Sequence, residues 1–177
     1  MDIAEKTMKS ETVYRCPVFS VTKDQVLLPD GRTADRDKII HHGGSGVLPI
    51  TPTGQVLLVE QYRYGIGQAT LEIPAGKLER GEDPETAARR ELNEEIGAKE
   101  QALISLGKIA VSPAYDSEII YIYLAENVTP GVQSLDDDEF LNVRCVEMDQ
   151  AMEMIENGII TDAKTQIALL RYQQFYR

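Results

Sequence analysis

The stretch from residue 76 to residue 98 constrains the fold most, because it carries both the start and the stop signal of a helix. It reads GKLERGEDPETAARRELNEEIGA. Asp83 is a good N-cap, Pro84 suits the first helical position, and Gly97 is a natural stop. The residues between Pro84 and Gly97 are rich in strong helix formers. The sequence therefore predicts a helix that ends at Gly97.

One face of this predicted helix carries three carboxylates. Glu95 lies four positions after Glu91, and Glu94 lies three positions after it, so all three side chains share a face. Like charges at this spacing cost roughly 0.2–0.5 kcal/mol per pair in water, and more when they are buried. Arg90 can offset one of these charges, and hard cations such as Mg²⁺ take oxygen ligands. The crowding indicates a metal site, whereas the Glu91–Glu95 pair alone would fit a solvated acidic helix.

Length and charge limit the classes of partner. The chain has 177 residues, enough for one good core and a small extension. With 29 acidic and 18 basic side chains, its net charge of −11 argues against nucleic acid and anionic membranes as partners. No apolar stretch approaches a membrane span, and the N-terminus lacks the apolar core of a signal peptide. Cys16 and Cys145 suggest no disulfide framework, so we expect a cytoplasmic protein.

The first 43 residues predict a small antiparallel β arm. A strand is expected over residues 12–20, and a hairpin is expected to join residues 25–28 to residues 38–42. Residues 1–43 are too few to bury a core alone, so they must pack on the rest of the chain or on a second copy. We therefore expect a domain boundary after residue 43, with an arm over 1–43 that is a candidate for dimerisation and a main domain over 44–177.

Strands and helices follow one another in the remainder of the chain. The apolar run Val56–Val59 fits a strand that is covered on both faces. A loop over 71–76 is expected to lead into the carboxylate helix. Further strands are predicted over 102–111, 118–124 and 140–146, followed by a helix from Asp149 to Asn157 and a last helix capped by Thr161 or Asp162. This order predicts an α+β fold with a mixed β-sheet and helices on both faces.

The motifs together resemble those of a known family. The stretch from Gly76 matches the Nudix signature G-x5-E-x7-R-E-U-x-E-E-x-G-U, with the small Ala98 where a bulky aliphatic residue is usual. The segments EQYRY (60–64) and LEIPAG (71–76) are similar to those of the ADP-ribose pyrophosphatase branch. Pro113, sixteen residues after Gly97, also resembles that branch, as do the later segments DDDEF and DAKTQIALL. The resemblance covers nearly the whole chain.

The resemblance implies a Nudix-type α/β/α sandwich that is preceded by the small N-terminal arm. It implies that ADP-ribose, a nucleoside diphosphate sugar, is hydrolysed to AMP and ribose 5-phosphate with Mg²⁺, Mn²⁺ being an alternative ion. It also implies a homodimer in which the arm exchanges between two subunits.

The resemblance also implies roles for individual residues. The metal ligands would be the backbone carbonyl of Ala75 and the side chains of Glu82 (an outer ligand or an orienting partner of Arg90), Glu91, Glu94 and Glu95. Gly76 would let the chain bend so that the carbonyl of Ala75 faces the metal. The catalytic set would be Arg90, Glu94, Glu95 and Glu139. The general base would lie in the acidic loop 136–139, where Glu139 is favoured and Asp137 is the alternative.

Substrate contacts follow from the same resemblance. Arg63 would hold the diphosphate, because a guanidinium suits bidentate phosphate recognition. Glu118 would lie near the terminal ribose, and Glu72 would be a further contact. Taken alone, the arginine could be a surface residue and the two carboxylates could be ordinary strand-edge groups. The adenine is expected to stack on an aromatic ring, with three candidates: Tyr14, Phe19 and Tyr64.

Two other functions remain open at this point. One is the hydrolysis of other nucleoside diphosphate sugars or of dinucleotides such as NADH, because the metal site would contact only the diphosphate. The other is a non-catalytic Nudix module that senses a nucleotide. The second is disfavoured because this chain keeps every carboxylate of the signature.

Overall fold

The computed structural model describes residues 2–98 and 102–177. The chain divides into two compact units. The first comprises Met1–Gly43 together with Ala110–Ile119, and the second comprises Gly44–Ile109 together with Ile120–Arg177.

The first unit is built on a three-stranded antiparallel sheet. Its strands are β1 (Lys6–Arg15), β2 (Phe19–Leu27) and β3 (Thr33–His41), in the order β1-β2-β3. The predicted hairpin is confirmed between β2 and β3, with longer strands than expected. The prediction of one strand over 12–20 is wrong, because the chain turns back between β1 and β2. Pro17 lies in that turn, where its missing N–H costs no ladder hydrogen bond.

The segment 112–118, which contains Pro113, also belongs to the first unit. The backbone N–H of Ile39 donates to the carbonyl of Tyr115 at 2.7 Å, and the N–H of Ser117 donates to the carbonyl of Ile39 at 3.0 Å. These bonds fix the segment to β3. Pro113 itself is exposed.

Among its described residues, the second unit contains two sheets and three helices. The elements from residue 44 onward are β4 (Gly44–Pro49), β5 (Val56–Arg63), β6 (Gln68–Glu72), β7 (Ala75–Lys77), α1 (Pro84–Ile96), β8 (Leu103–Ala110), β9 (Ile119–Ala125), β10 (Leu141–Val146), α2 (Met148–Glu156) and α3 (Ala163–Phe175). The four-stranded sheet has the order β7-β4-β9-β8, and the three-stranded sheet has the order β10-β5-β6. Strand β4 pairs antiparallel with β7 and parallel with β9, so the predicted mixed sheet is present. The segment 71–76, expected to be a loop, instead ends β6 and begins β7.

Strand β5 is covered on both faces, as its unbroken apolar run predicted. Val56 and Leu58 belong to the core cluster that includes residues of α2 and α3. Leu57 and Val59 belong to the cluster that includes residues of α1. Successive side chains of a strand point to opposite faces, so one strand serves two cores. The α/β/α layering follows from this alternation.

The helix ends follow the capping signals. The Asp83 carboxylate accepts from the backbone N–H groups of Glu85 and Thr86, both at 3.1 Å. Gly97 closes α1 in the left-handed region, with φ 73. Asp162, and not Thr161, caps α3. Within the described residues, no helix combines the length and apolar character that crossing a membrane requires.

Candidate active site

Helix α1 presents two carboxylates to strand β7 while its other face packs in the core. Ala88, Leu92 and Ile96 belong to one core cluster. Glu91 and Glu95 are buried, with 7% and 1% of their surfaces exposed. The Glu95 carboxylate accepts from the backbone N–H of Ala75 at 3.2 Å. Glu91 and Glu95, two of the three carboxylates predicted to share a face, therefore meet the first residues of β7.

Gly76 leaves the space that Glu91 occupies. A β-carbon added at Gly76 would lie 1.8 Å from Oε1 of Glu91, which is far too close for two atoms that are not bonded to each other. Gly76 lies in β7, outside the set of glycines with a left-handed φ. The lack of a side chain at Gly76 therefore makes room for the Glu91 carboxylate, and the bend that the resemblance implies at this glycine stays a prediction. The carboxylate stands against bare backbone.

Arg90 joins three carboxylates of the signature. Its guanidinium donates to Glu82 through Nε at 3.1 Å, and to Glu91 at 2.6 Å and Glu94 at 3.0 Å through Nη1. It also donates to the carbonyl of Lys77 at 3.2 Å. The hydrogen bond from Arg90 holds the pKa of the Glu82 carboxyl below its usual range. The expected pairing of Glu82 with Arg90 is present in the structure.

Burial and like charge act together on Glu91 and Glu95. Burial, followed by the charges of Glu91 and Glu139, raises the pKa of Glu95 to about 8. Burial is also the largest cause that raises the pKa of Glu91, against the opposing effect of Arg90. A carboxylate that is costly to ionise for these two reasons marks a site at which a cation would be stabilising.

The C-terminal end of α1 is held by the chain segment that leads to the acidic loop. The backbone N–H of Ser134 donates to the carbonyl of Glu94 at 2.8 Å, and the Gln133 side chain donates to the carbonyl of Glu95 at 2.8 Å. The backbone N–H of Gly131 donates to the carbonyl of Ile96 at 2.9 Å. These donors satisfy carbonyls that a helix end otherwise leaves free.

Glu139 lies close enough to α1 for its charge to act on both buried carboxylates. It raises the pKa of Glu91 and of Glu95, after the effect of burial. Its side chain is half-buried and accepts from Gln61 at 3.4 Å. Asp137, the alternative base, is exposed.

The donor set fits a hard divalent cation by its chemistry. Carboxylate oxygens of Glu91 and Glu95 meet the backbone of Ala75 and Gly76, and oxygen is the donor that Mg²⁺ prefers. Within residues 2–98 and 102–177, no three Asp, Glu, His or Cys side chains are already gathered as a group that could hold an ion. In this arrangement the guanidinium of Arg90 is hydrogen-bonded to Glu91 and Glu94.

Arg63 and Glu72 form a second charged group on β5 and β6. The guanidinium donates from Nε and Nη2 to the two oxygens of Glu72, at 2.6 and 2.7 Å. Glu72 also accepts from Thr70 at 2.5 Å and from the ammonium of Lys164. Burial disfavours the charged form of Glu72, but the bonds from Arg63 and Lys164 prevail and lower its pKa to about 2. The charge of Arg63 also acts to lower the pKa of Glu95, so this group lies near the carboxylates of α1.

The remaining predicted contacts are distributed over the two units. Glu118 belongs to the first unit, where its carboxylate lies 3.5 Å from Nδ1 of His41. Tyr14 and Phe19 also lie in the first unit, with ring centroids 6.0 Å apart. Tyr64 follows β5 in the second unit and is 92% exposed. The roles of Glu118 and of these rings in substrate binding stay predictions.

The sequence did not predict the contact of Lys164 with this charged group. It lies in the first turn of α3, two positions after the capping Asp162. A lysine there opposes the helix dipole, which favours negative charge at a helix start. In the structure the charge of Lys164 is paired with the carboxylates of Glu72 and Asp162.

Known protein families match most of the chain. A family model described as the NUDIX domain matches residues 40–168, and one described as the nucleoside diphosphate sugar hydrolase N-terminal domain matches residues 5–38. The chain is 39% identical to the methanol dehydrogenase activator of Bacillus methanolicus, over 93% of this chain and 90% of that protein. It is 36% identical to the ADP-ribose pyrophosphatase of Bacillus subtilis (strain 168), over 94% and 91%. The crystal structure of an ADP compounds hydrolase superposes with a TM-score of 0.85 at 23% identity, over 99% of this chain and 96% of that one, which supports the fold.

Proposed function

This chain belongs to the Nudix family, whose model spans residues 40–168, and we propose that it hydrolyses the diphosphate of ADP-ribose to AMP and ribose 5-phosphate. The relative in Bacillus subtilis that carries the name ADP-ribose pyrophosphatase supports this substrate, since the two chains match over 94% of this one. The match of residues 5–38 to the N-terminal domain of nucleoside diphosphate sugar hydrolases supports the same substrate class.

The observation that carries the proposal is the buried carboxylate pair on α1. Glu91 and Glu95 lie beside the bare backbone of β7, where no side chain at Gly76 competes for the space. Such a pair is costly in isolation, and the cost is offset when a divalent cation binds. We propose Mg²⁺ as that cation, with Mn²⁺ as an alternative, held by Glu91, Glu95 and the carbonyl of Ala75. Glu94 and Glu82 complete the proposed set, the latter as an outer ligand.

The other charged residues are proposed to orient the metal-binding carboxylates and to contact the substrate. Arg90 orients Glu82, Glu91 and Glu94 through the bonds described above. Arg63 donates to the diphosphate, and Glu72 keeps the guanidinium pointed for that contact. A bound Mg²⁺ would supply charge neutralisation of the phosphates and an acidified water. Glu118 is proposed to contact the terminal ribose.

Glu139 is proposed as the general base. A base must take the proton of the attacking water, so it must stand near the carboxylates that surround the reaction. The charge of Glu139 acts on both Glu91 and Glu95, which supports this assignment over the exposed Asp137.

A substrate panel tests the proposal. Purified protein would be incubated with ADP-ribose, ADP-glucose, GDP-mannose and NADH, either with Mg²⁺ in the millimolar range or with EDTA, and the products would be identified by chromatography. We expect AMP and ribose 5-phosphate from ADP-ribose in Mg²⁺ alone. If ADP-ribose stays intact while another compound is cleaved, that compound replaces ADP-ribose as the proposed substrate. No cleavage at all would favour the nucleotide-sensing alternative.

The arm is proposed to form a homodimer. All ten residues of β1 are exposed, and they include Met8, Val13 and Tyr14, which are 59%, 55% and 55% exposed. An edge strand with exposed apolar side chains is a surface that a second chain can cover. Light scattering at micromolar concentration should give twice the chain mass of 19.7 kDa; a monomer mass would exclude this dimer.

The two unpaired cysteines are consistent with the cytoplasm, which we propose as the location.

A further inference from the structure

Glu72 is shared between two cations that come from different elements of the second unit. Arg63 on β5 approaches it bidentately, and Lys164 on α3 donates to the Oε2 atom that also receives a bond from Arg63. Only 3% of the Glu72 side chain and 10% of the Lys164 side chain are exposed, whereas Arg63 is 40% exposed. The buried cation is thus Lys164, and the cation with a face toward solvent is Arg63.

The start of α3 is fixed to the strand connection beside Glu72. The Thr165 hydroxyl accepts from the backbone N–H of Ile73 at 2.8 Å, and both residues are fully buried. The Asp162 carboxylate accepts from the backbone N–H of Thr165 at 2.9 Å and from the Lys164 ammonium at 3.0 Å. Lys164 therefore reaches Glu72 from an anchored helix turn, so its ammonium has a fixed place.

We propose that Lys164 is a positioning residue for substrate binding, which acts through Glu72 on the diphosphate-binding guanidinium of Arg63. This inference rests on the proposed function of Arg63. Lys164 supplies part of the positive charge that neutralises the buried Glu72 carboxylate. Glu72 can therefore orient Arg63 while only part of the Arg63 charge is used to neutralise it. The exposed side of the guanidinium then stays available to a phosphate oxygen.

Loss of the Lys164 charge would bind Arg63 more tightly to Glu72. The carboxylate would remain buried with Arg63 as its one cationic partner among the contacts described above, and a buried charge without compensation is costly. Moving Arg63 toward a phosphate would then leave that charge unpaired. The expected result is weaker binding of the diphosphate with little change in the chemical step.

The test measures the dissociation constant for ADP, used as a diphosphate probe, by calorimetry in Mg²⁺. The variants are Lys164→Met, Lys164→Arg and Glu72→Gln, with Lys164→Met also made in the Glu72→Gln background. Lys108→Met, which removes a positive charge from the exposed surface of β8, is the matched control. Melting temperatures are recorded for all, and KM and kcat are measured for the substrate found to be cleaved.

We expect Lys164→Met to raise the Kd for ADP and the KM about tenfold, with kcat within about twofold. Lys164→Arg should bind ADP nearly as well as the wild type, and the control should be unchanged. In the Glu72→Gln background, Lys164→Met should have no further effect on the Kd, because the route through Glu72 is already removed. If Lys164→Met does not fold, Lys164→Gln takes its place with the same expectation.

The proposal would be overturned by an unchanged Kd in the Lys164→Met protein, by an equal rise in the Lys108→Met control, or by no binding of ADP by the wild type. A Kd rise that persists in the Glu72→Gln background would also overturn it, since Lys164 would then act by another route. If the wild type binds ADP but cleaves no nucleoside diphosphate sugar, the proposed function fails while the Kd values still decide the role of Lys164.

Discussion

Oε1 of Glu91 stands 1.8 Å from the point that a β-carbon on Gly76 would occupy. Residue 76 is therefore restricted to glycine by the carboxylate of another element, and not by its own backbone angles. The first glycine and the central glutamate of the signature thus meet in a single contact between β7 and α1.

Gly76→Ala should abolish most of the activity while leaving the fold intact. The added methyl group must displace the Glu91 carboxylate, and small displacements of catalytic groups cost large factors in rate. We expect kcat to fall at least about 100-fold, with a melting temperature within a few degrees of the wild type. Gly65→Ala is the matched control, because a β-carbon there meets nothing within 4 Å and needs no left-handed φ. Equal activity in the two variants would contradict the packing argument.

Glu95→Gln should separate stability from catalysis. The substitution keeps the shape of the side chain but removes an ionisable group, whose pKa is raised to about 8 by burial and by the charges of Glu91 and Glu139. Thermal unfolding in EDTA should therefore show equal or higher stability, whereas kcat in Mg²⁺ should fall at least about 100-fold. Glu126→Gln on the exposed surface should change neither quantity. An undiminished rate in Glu95→Gln would remove this residue from the metal site.

The choice between Glu139 and Asp137 as the base can be made with two neutral variants. A lost general base costs about 100- to 10,000-fold in kcat, whereas an exposed loop carboxylate costs little. We expect Glu139→Gln to lose this factor and Asp137→Asn to stay within about threefold. Single-turnover kinetics at saturating substrate would measure the chemical step directly. The reverse pattern would make Asp137 the base.

Glu72 should contribute a pH-dependent part of the folding free energy. Its pKa in the folded protein is about 2, below its ordinary value of 4.5. Since the folded-state pKa is lowered, the stabilisation is present above about pH 4.5 and is lost as the pH falls toward 2. Urea unfolding should show Glu72→Gln to be about 2 kcal/mol less stable than the wild type at pH 7, with a smaller gap at pH 3.

The control for this measurement is Glu60→Gln. Glu60 pairs with Arg144 at 2.7 Å, but both side chains are partly exposed, at 33% and 55%. Solvent screens such a pair, so its loss should change the free energy of unfolding by less than about 1 kcal/mol at either pH. A gap of constant size between Glu72→Gln and the wild type from pH 7 to pH 3 would contradict the assignment.

The sequence predicted the carboxylate helix well because its signals are local. Asp83, Pro84 and Gly97 set the ends of α1 through contacts within a few residues of each end. The two faces of β5 were also predictable, since an unbroken apolar run of this length is typical of a strand that is buried on both sides. The division of the second unit into two sheets was not predictable, because strand order depends on partners that are distant in the sequence.

The same distinction applies to the site. The pairing of Arg90 with Glu82 could be expected from the register of the signature, and the structure contains it. The bond between Lys164 and Glu72 joins residues 92 positions apart, and no sequence pattern around either residue predicts that the two are partners. The turn at Pro17 was missed because the residues on both sides of it have strand-like composition, and composition alone does not reveal a reversal of direction.

The segment over residues 131–134, which bonds to the end of α1, makes this end of the helix sensitive to substitution. Gly97 and Gly131 touch through their backbones, and a β-carbon on either would come within 2.5 Å of the other chain segment. From this contact the chain runs directly to Glu139. The end of α1 and the segment that precedes the acidic loop are therefore packed against each other. A side chain added at Gly97 or Gly131 would force these two segments apart, and we expect this to disturb the proposed metal ligands of α1 and the position of Glu139 together.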